Sequence, residues 1–177
     1  MLSSVPVVAP DPPLVADGVV LRAPDECDAT WIAEAYDEPD IARFIVGMPS
    51  PFAQRWALAA DAELVIADAS SGEPLGVISL RVAERDPGLA AVGYWLRAEA
   101  RGRGAATVAV QLTARWAFDA LGVQRLELTT TPDNVASHRV AERAGFTREG
   151  VLRRFVATKD DRRQDCVMFS LLPADLD

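Results

Sequence analysis

The stretch Arg101-Gly102-Arg103-Gly104-Ala105-Ala106 has the plainest chemical meaning in this 177-residue chain. It follows an apolar run that reads as a strand, Leu89–Leu96, and it opens a helical pattern over Gly104–Leu121. Two glycines and two alanines leave the main chain bare of bulk. Successive N–H groups can then turn toward one anion, with the positive end of a helix behind them. A phosphate or pyrophosphate suits such a turn, and Arg101 and Arg103 add charge at its rim. Other phosphate loops fit poorly. The pattern G-x-x-x-x-G-K-[ST] lacks its lysine, and G-x-G-x-x-G begun at Gly102 meets Thr107 in place of the last glycine. The competing reading is a plain strand-to-helix turn.

The remaining reactive residues are sparse. One histidine, His138, and two cysteines, Cys27 and Cys166, offer no zinc site built on several His or Cys and no disulfide framework. The cysteines read as reduced thiols of a cytoplasmic protein. A net charge of −8 and a pI near 4.7 argue against general affinity for nucleic acid or an anionic membrane. The same charge is compatible with a cationic substrate such as an amine. No apolar run reaches the length of a membrane-spanning helix. The start, MLSSVPVVAPDPP, carries no basic residue before its apolar part and does not read as a signal peptide.

These residues need elements to position them. Half of the chain is hydrophobic, which is enough for one globular domain with a full core. Residues 1–16 read as a loose, extended tail and 17–177 as the domain. A strand at Val19–Arg22 precedes helical patterns at Glu26–Tyr36, Glu38–Val46 and Phe52–Asp61. The period then changes to that of strands. Glu63–Asp68, Leu75–Val82 and Leu89–Leu96 form an antiparallel meander, with a turn at Ser70–Glu73. In the long helix that follows, Ala105, Val108, Ala109, Leu112 and Trp116 fall on one stripe, and Gly122 closes it. The strand Arg125–Thr131 comes next, then a short helix Ala136–Ala144 and strands Thr147–Thr158 and Gln164–Leu172. The expected fold is mixed α/β. It is a mostly antiparallel sheet of about six or seven strands with helices on both faces.

At this point the sequence resembles the GNAT acyl-CoA N-acyltransferases. Their pattern [RQ]-x-x-G-x-[GA] is matched by Arg101, Gly104 and Ala106, and the preceding Gly93-Tyr94-Trp95-Leu96 is similar as well. The stretch Asn134 to Phe146 reads N-x-x-S-x-R-V-x-E-[KR]-x-G-F, which resembles the branch of ribosomal-protein alanine N-acetyltransferases of the RimJ/RimL type. The likeness runs from about Val19 to Leu172. It implies that acetyl-CoA lies between two splayed parallel strands, here Leu89–Leu96 and Arg125–Thr131. The backbone of Trp95 and Leu96 would pair with the pantetheine arm. The amides of Arg101, Gly102, Arg103, Gly104, Ala105 and Ala106 would cradle the pyrophosphate, and Asn134 would hold the arm.

The implied reaction is direct attack of an amine on the thioester. The main-chain N–H near Leu96 would polarise the carbonyl. Ser137 would give a proton to the leaving thiolate, or else only cap the helix that starts after Asn134. The pattern departs from its relatives at two places. A glutamate common in the family is replaced by Ala91, and another by Val108. Glu127 remains as a candidate base, against a reading as an ordinary strand residue. His138 reads as a solvated helix residue. A protein N-terminal α-amine, with a pKa near 8, needs less of a base than a lysine, so the missing carboxylates favour it. The alternatives are a small amine (an amino acid, polyamine or aminoglycoside) and a CoA-binding module without catalysis. A homodimer is compatible with the sequence.

Overall fold

The computed structural model describes residues 7–42, 61–83, 86–157 and 162–176. Its centre is an eight-stranded sheet in the order β1-β2-β3-β4-β5-β6-β8-β7. The strands are β1 (Leu14–Ala16), β2 (Val19–Arg22), β3 (Asp61–Asp68), β4 (Pro74–Ala83), β5 (Asp86–Leu96), β6 (Arg125–Thr130), β7 (Thr147–Ala157) and β8 (Arg163–Leu171). Four α-helices are described. They are α1 (Asp28–Tyr36), α2 (Pro39–Ala42), α3 (Ala105–Leu121) and α4 (Val135–Arg143). The expected helix over Phe52–Asp61 and the second half of the one expected over Glu38–Val46 lie outside the described residues, save that Asp61 begins β3.

All neighbouring strands run antiparallel except β5 and β6. That parallel pair has only three rungs: Leu89 with Arg125, Ala90 with Leu126 and Ala91 with Glu127. Beyond Ala91 the two strands part, while β5 continues to Leu96 on β4 and β6 continues to Thr130 on β8. Gly76 explains the direction in which β5 leans. A Cβ at this position would collide with the Trp95 carbonyl oxygen and crowd Leu96, so only glycine lets the end of β5 close onto β4 and away from β6.

The sheet is covered on both faces, as the alternation in β3 demands. Leu64 and Ile66 point into the core under α3, which also takes Ile78, Leu80, Ala90, Val92 and Leu126. Val65 and Ala67 point the other way, to Ile32 and Ala35 of α1 and Ile41 of α2. The start of α1 is pinned by Asp28, 2% exposed, which receives two bonds from Arg22 (2.6 and 2.9 Å) and one from Trp31 Nε1 (2.9 Å). Burial alone would raise its pKa. The hydrogen bonds from Arg22, the Asp25 N–H and Trp31 outweigh it and hold the carboxyl below its usual range.

Two expectations change. The inward stripe of α3 is Ala105, Ala106, Ala109, Val110, Thr113, Ala114, Trp116 and Ala117, while Val108 and Leu112 pack only partly against the core. Small side chains let the helix axis approach the sheet, so the stripe turns toward the alanines and away from the bulkier residues. The tail is also less loose than its prolines suggest. Leu14–Ala16 pairs with β2 as an extra strand, and Val7, Ala9 and Leu14 pack on the core. Asp17 and Gly18, at φ 44° and 77°, make the two-residue turn of that hairpin.

Candidate active site

The turn after β5 is the first part of the site. Gly102 and Gly104 hold φ of 78° and 86°, a region open to glycine at little cost. Added Cβ atoms there would meet nothing within 4 Å. Among the described residues, none of the amides from Gly102 to Ala106 is engaged by a carbonyl or side chain. The first helical bond around them runs from the Val108 N–H to the Gly104 carbonyl, at 3.2 Å. The methyl groups of Ala105 and Ala106 are buried in the core, so these residues offer only their main chain. The result is a run of unspent donors at the positive end of a helix 17 residues long.

Arg101 is used differently from expectation: its N–H donates to the Ala98 carbonyl at 3.3 Å and so is not among the free amides of the turn. Its Nε donates to the Leu96 carbonyl at 3.1 Å, and its Nη1 reaches Asp40 of α2, also at 3.1 Å. The guanidinium therefore straps the turn to the end of β5 and to the helix on the far face. It also occupies the Leu96 carbonyl, one of the main-chain groups of the Trp95–Leu96 stretch expected to meet the pantetheine arm. Arg103 stays exposed at the rim. Trp95 turns its side chain to the α1 face, with ring centroids 5.8 Å from both Trp31 and Tyr36.

The gap between β5 and β6 is the second part. On the α3 face, Tyr94 of β5 meets Ser137 of α4, with 3.1 Å between the two hydroxyl oxygens. Burial raises the pKa of the Tyr94 phenol, and the Ser137 bond only partly offsets it. Asn134 is the cap of α4. Its Oδ1 accepts from the Ser137 N–H at 3.2 Å, so the Ser137 hydroxyl is not what closes this helix start. His138 is structural. Its Nε2 lies 3.1 Å from the Thr131 carbonyl and its ring packs on Phe169, so it is not the solvated residue expected.

On the α1 face the gap is lined by small residues. Ala91 and Gly93 are exposed there. Glu127 stands level with Ala91 across the last parallel rung, so the structure puts a carboxylate on that face beside Ala91. Arg125 Nε donates to Glu127 Oε1 at 2.9 Å, and the same guanidinium grips Glu149 through two bonds of 2.7 Å. On β3, two strands from β5, Glu63 is 6% exposed and its Oε1 lies 3.4 Å from the Tyr36 hydroxyl.

Trp95, Leu96, the Arg101–Ala106 turn, Asn134 and Ser137 thus gather along the parted strands, with Glu127 at the inner end of the gap. Sequence reasoning missed Tyr94 as a site residue. Its signal was there: Tyr94 shares the inward parity of Val92 and Leu96, and a phenol at an inward position needs a partner for its hydroxyl.

The acetyltransferase (GNAT) domain family matches residues 19–147. The probable N-acetyltransferase YjcK of Bacillus subtilis is 37% identical over 89 residues, which covers 50% of this chain and 49% of that protein. The chain spans about half the length of the curated relatives it matches first. Among solved structures, the ribosomal-protein-S5-alanine acetyltransferase of Vibrio fischeri superposes with a TM-score of 0.75 at 21% identity, covering 94% of this chain and 100% of that one. The spermidine N-acetyltransferase of Vibrio cholerae, solved with CoA and spermine, superposes at 0.77 with 20% identity, covering 90% and 98%. At such identities the superpositions speak for the fold. With the fold, the parted strands and the domain match in agreement, the chain belongs to the GNAT acetyltransferase family.

Proposed function

We propose that the protein is an N-acetyltransferase that moves the acetyl group of acetyl-CoA to a primary amine, and that the acceptor is a protein N-terminal α-amine. One observation carries this reading. A run of unspent amides, Gly102 to Ala106, sits at the mouth of a gap in the sheet. A pyrophosphate fits the amides, and an extended amide-bearing arm fits the gap as a missing strand would. The carbonyl of Leu96 is held by Arg101 and the carbonyl of Trp95 faces Gly76 on β4, so the arm would pair with the Leu96 N–H at this end of β5. Asn134 uses Oδ1 for its helix, which leaves its Nδ2 for a carbonyl of the arm.

The chemistry follows from the two faces of the gap. The amine comes from the α1 face and its nitrogen bonds to the thioester carbon, while Glu127 takes the proton that the amine sheds. The C–S bond breaks, and Ser137, on the α3 face, gives its hydroxyl proton to the sulfur. An α-amine with a pKa near 8 is partly neutral at physiological pH, which fits a site with Ala91 and Val108 at two family carboxylate positions. A cytoplasmic setting fits the free thiols of Cys27 and Cys166.

A second reading, a small polycationic amine, draws on Asp37, Glu38 and Asp40 beside the α1 face, on buried Glu63 and on the charge of −8. Release of free thiol from acetyl-CoA separates these. The panel would be peptides with free N-termini, N-blocked peptides bearing lysine, polyamines, aminoglycosides and amino acids, with mass spectrometry of each product. Turnover on free peptide N-termini is the expected result. Turnover confined to polyamines favours the second reading. Acetyl-CoA binding with no turnover on any amine identifies a non-catalytic module.

A further inference from the structure

The Tyr94–Ser137 contact poses a chemical question that the reaction above leaves open. A serine hydroxyl is a poor acid for a thiolate. Its pKa lies several units above that of a thiol, which is about 8.5. Proton transfer from serine alone would be uphill by several units, and a phenol, ordinarily at about 10, is a stronger acid than an alcohol. The structure brings such a phenol to 3.1 Å from Ser137 Oγ. The two residues come from opposite sides of the gap, Tyr94 from the parted end of β5 and Ser137 from the first turn of α4.

Three features make the pair more than a packing contact. The Ser137 hydroxyl does not cap its helix, because Asn134 does that. Tyr94 lies beyond the last rung to β6, so its ring spans a stretch where no ladder joins the strands. Among the described residues, Ser137 is also the one hydrogen-bond partner of the phenol.

Resting on the acetyl-transfer reading, we propose that Tyr94 is a positioning residue for proton delivery, holding Ser137 Oγ and returning a proton to it as Ser137 protonates the departing thiolate. The balance is closed. The amine nitrogen bonds to the acetyl carbon and the C–S bond breaks. The Ser137 proton goes to sulfur and the Tyr94 proton goes to the Ser137 oxygen. After product leaves, Glu127 passes the amine's proton to solvent, and the phenolate takes one back from solvent. Burial keeps the phenol protonated across the neutral range, so the donor is loaded before each turnover.

The test is a double-mutant cycle with Tyr94→Phe and Ser137→Ala, assayed on the best acceptor. Tyr94→Phe keeps the ring and removes the hydroxyl. It should lower kcat on the order of ten- to a hundredfold. KM for acetyl-CoA should stay within about twofold, and the melting temperature should hold. In the Ser137→Ala background it should cost nothing more, because the relay is already cut. The wild-type kcat should also fall in strongly alkaline solution, at a pH above the ordinary tyrosine value of about 10 because burial raises this phenol, with the fall absent from Tyr94→Phe. An unchanged kcat in Tyr94→Phe while Ser137→Ala is impaired overturns the role of Tyr94. So does a double variant in which the two losses multiply. An unchanged kcat in Ser137→Ala overturns the proton-donor role on which this rests, and a wild type that acetylates no amine overturns the acetyl-transfer reading itself.

Discussion

Glu127 and Arg125 form a pair whose two members have different work. Arg125 donates to Glu127 at 2.9 Å and to both oxygens of Glu149 at 2.7 Å. Its pKa is raised, first by the Glu149 bonds and then by the Glu127 bond. Glu127 is thereby aimed, and a glutamine could accept the same bond through its amide oxygen. The base role can therefore be tested without loss of the anchor. Glu127→Gln should lower kcat/KM for an α-amine acceptor at neutral pH about tenfold or more, with an unchanged melting temperature. An unchanged kcat/KM would mean that the carboxylate only steadies Arg125. At this scale the motif residues Arg101, Gly104, Asn134 and Ser137 were legible, because glycine-rich turns and helix caps are local. The straps were not. Arg101 to Asp40 joins residues 61 positions apart, and Tyr94 to Ser137 joins residues 43 apart. No spacing rule reaches that far.

Among the elements, β5 decides whether a gap exists at all. It stays on β4 to its last residue because Gly76 has no side chain to resist it. Gly76→Ala would set a methyl group against the Trp95 carbonyl, and backbone must move to admit it. The expected cost is about 1–3 kcal/mol of stability, as for other forced packing, with a matching loss of acetyl-CoA affinity as the end of β5 shifts toward β6. Thermal melts and a titration with acetyl-CoA would check both. A variant as stable and as tight-binding as the parent would show that the lean of β5 has another cause. The meander and α3 were legible from period and from the turns around Gly72 and Gly122. The hairpin at Asp17-Gly18 also had its signal, a D-G pair between apolar residues, but four nearby prolines pulled the reading toward a tail. The parting of β5 from β6 was expected only through family likeness. Nothing in the alternation of either strand encodes where a ladder stops.

For the molecule as a whole, two exposed carboxylates tie the fold to pH. The bonds from Arg125 and Ser170 hold Glu149 at about 2, and the hydroxyl of Ser70 with the amides of Ser71 and Ser70 holds Asp68 at about 2 as well. Both groups stay ionised in the folded chain at pH values where the unfolded chain would take up protons. Their contribution is complete above the unfolded values of 4.5 and 3.8, and it fades as pH falls toward 2. Glu149→Gln should therefore melt slightly below the parent at pH 7, and the difference should vanish near pH 2. A constant offset across that range would place its origin in packing. The sheet also has an unusual kind of edge. Unpaired strands on a surface invite other chains to add to them. Here the unpaired length faces inward between two strands, is shut by three rungs at one end and is roofed by helices on the α3 side. Such a slot admits something thread-like that enters from the open end.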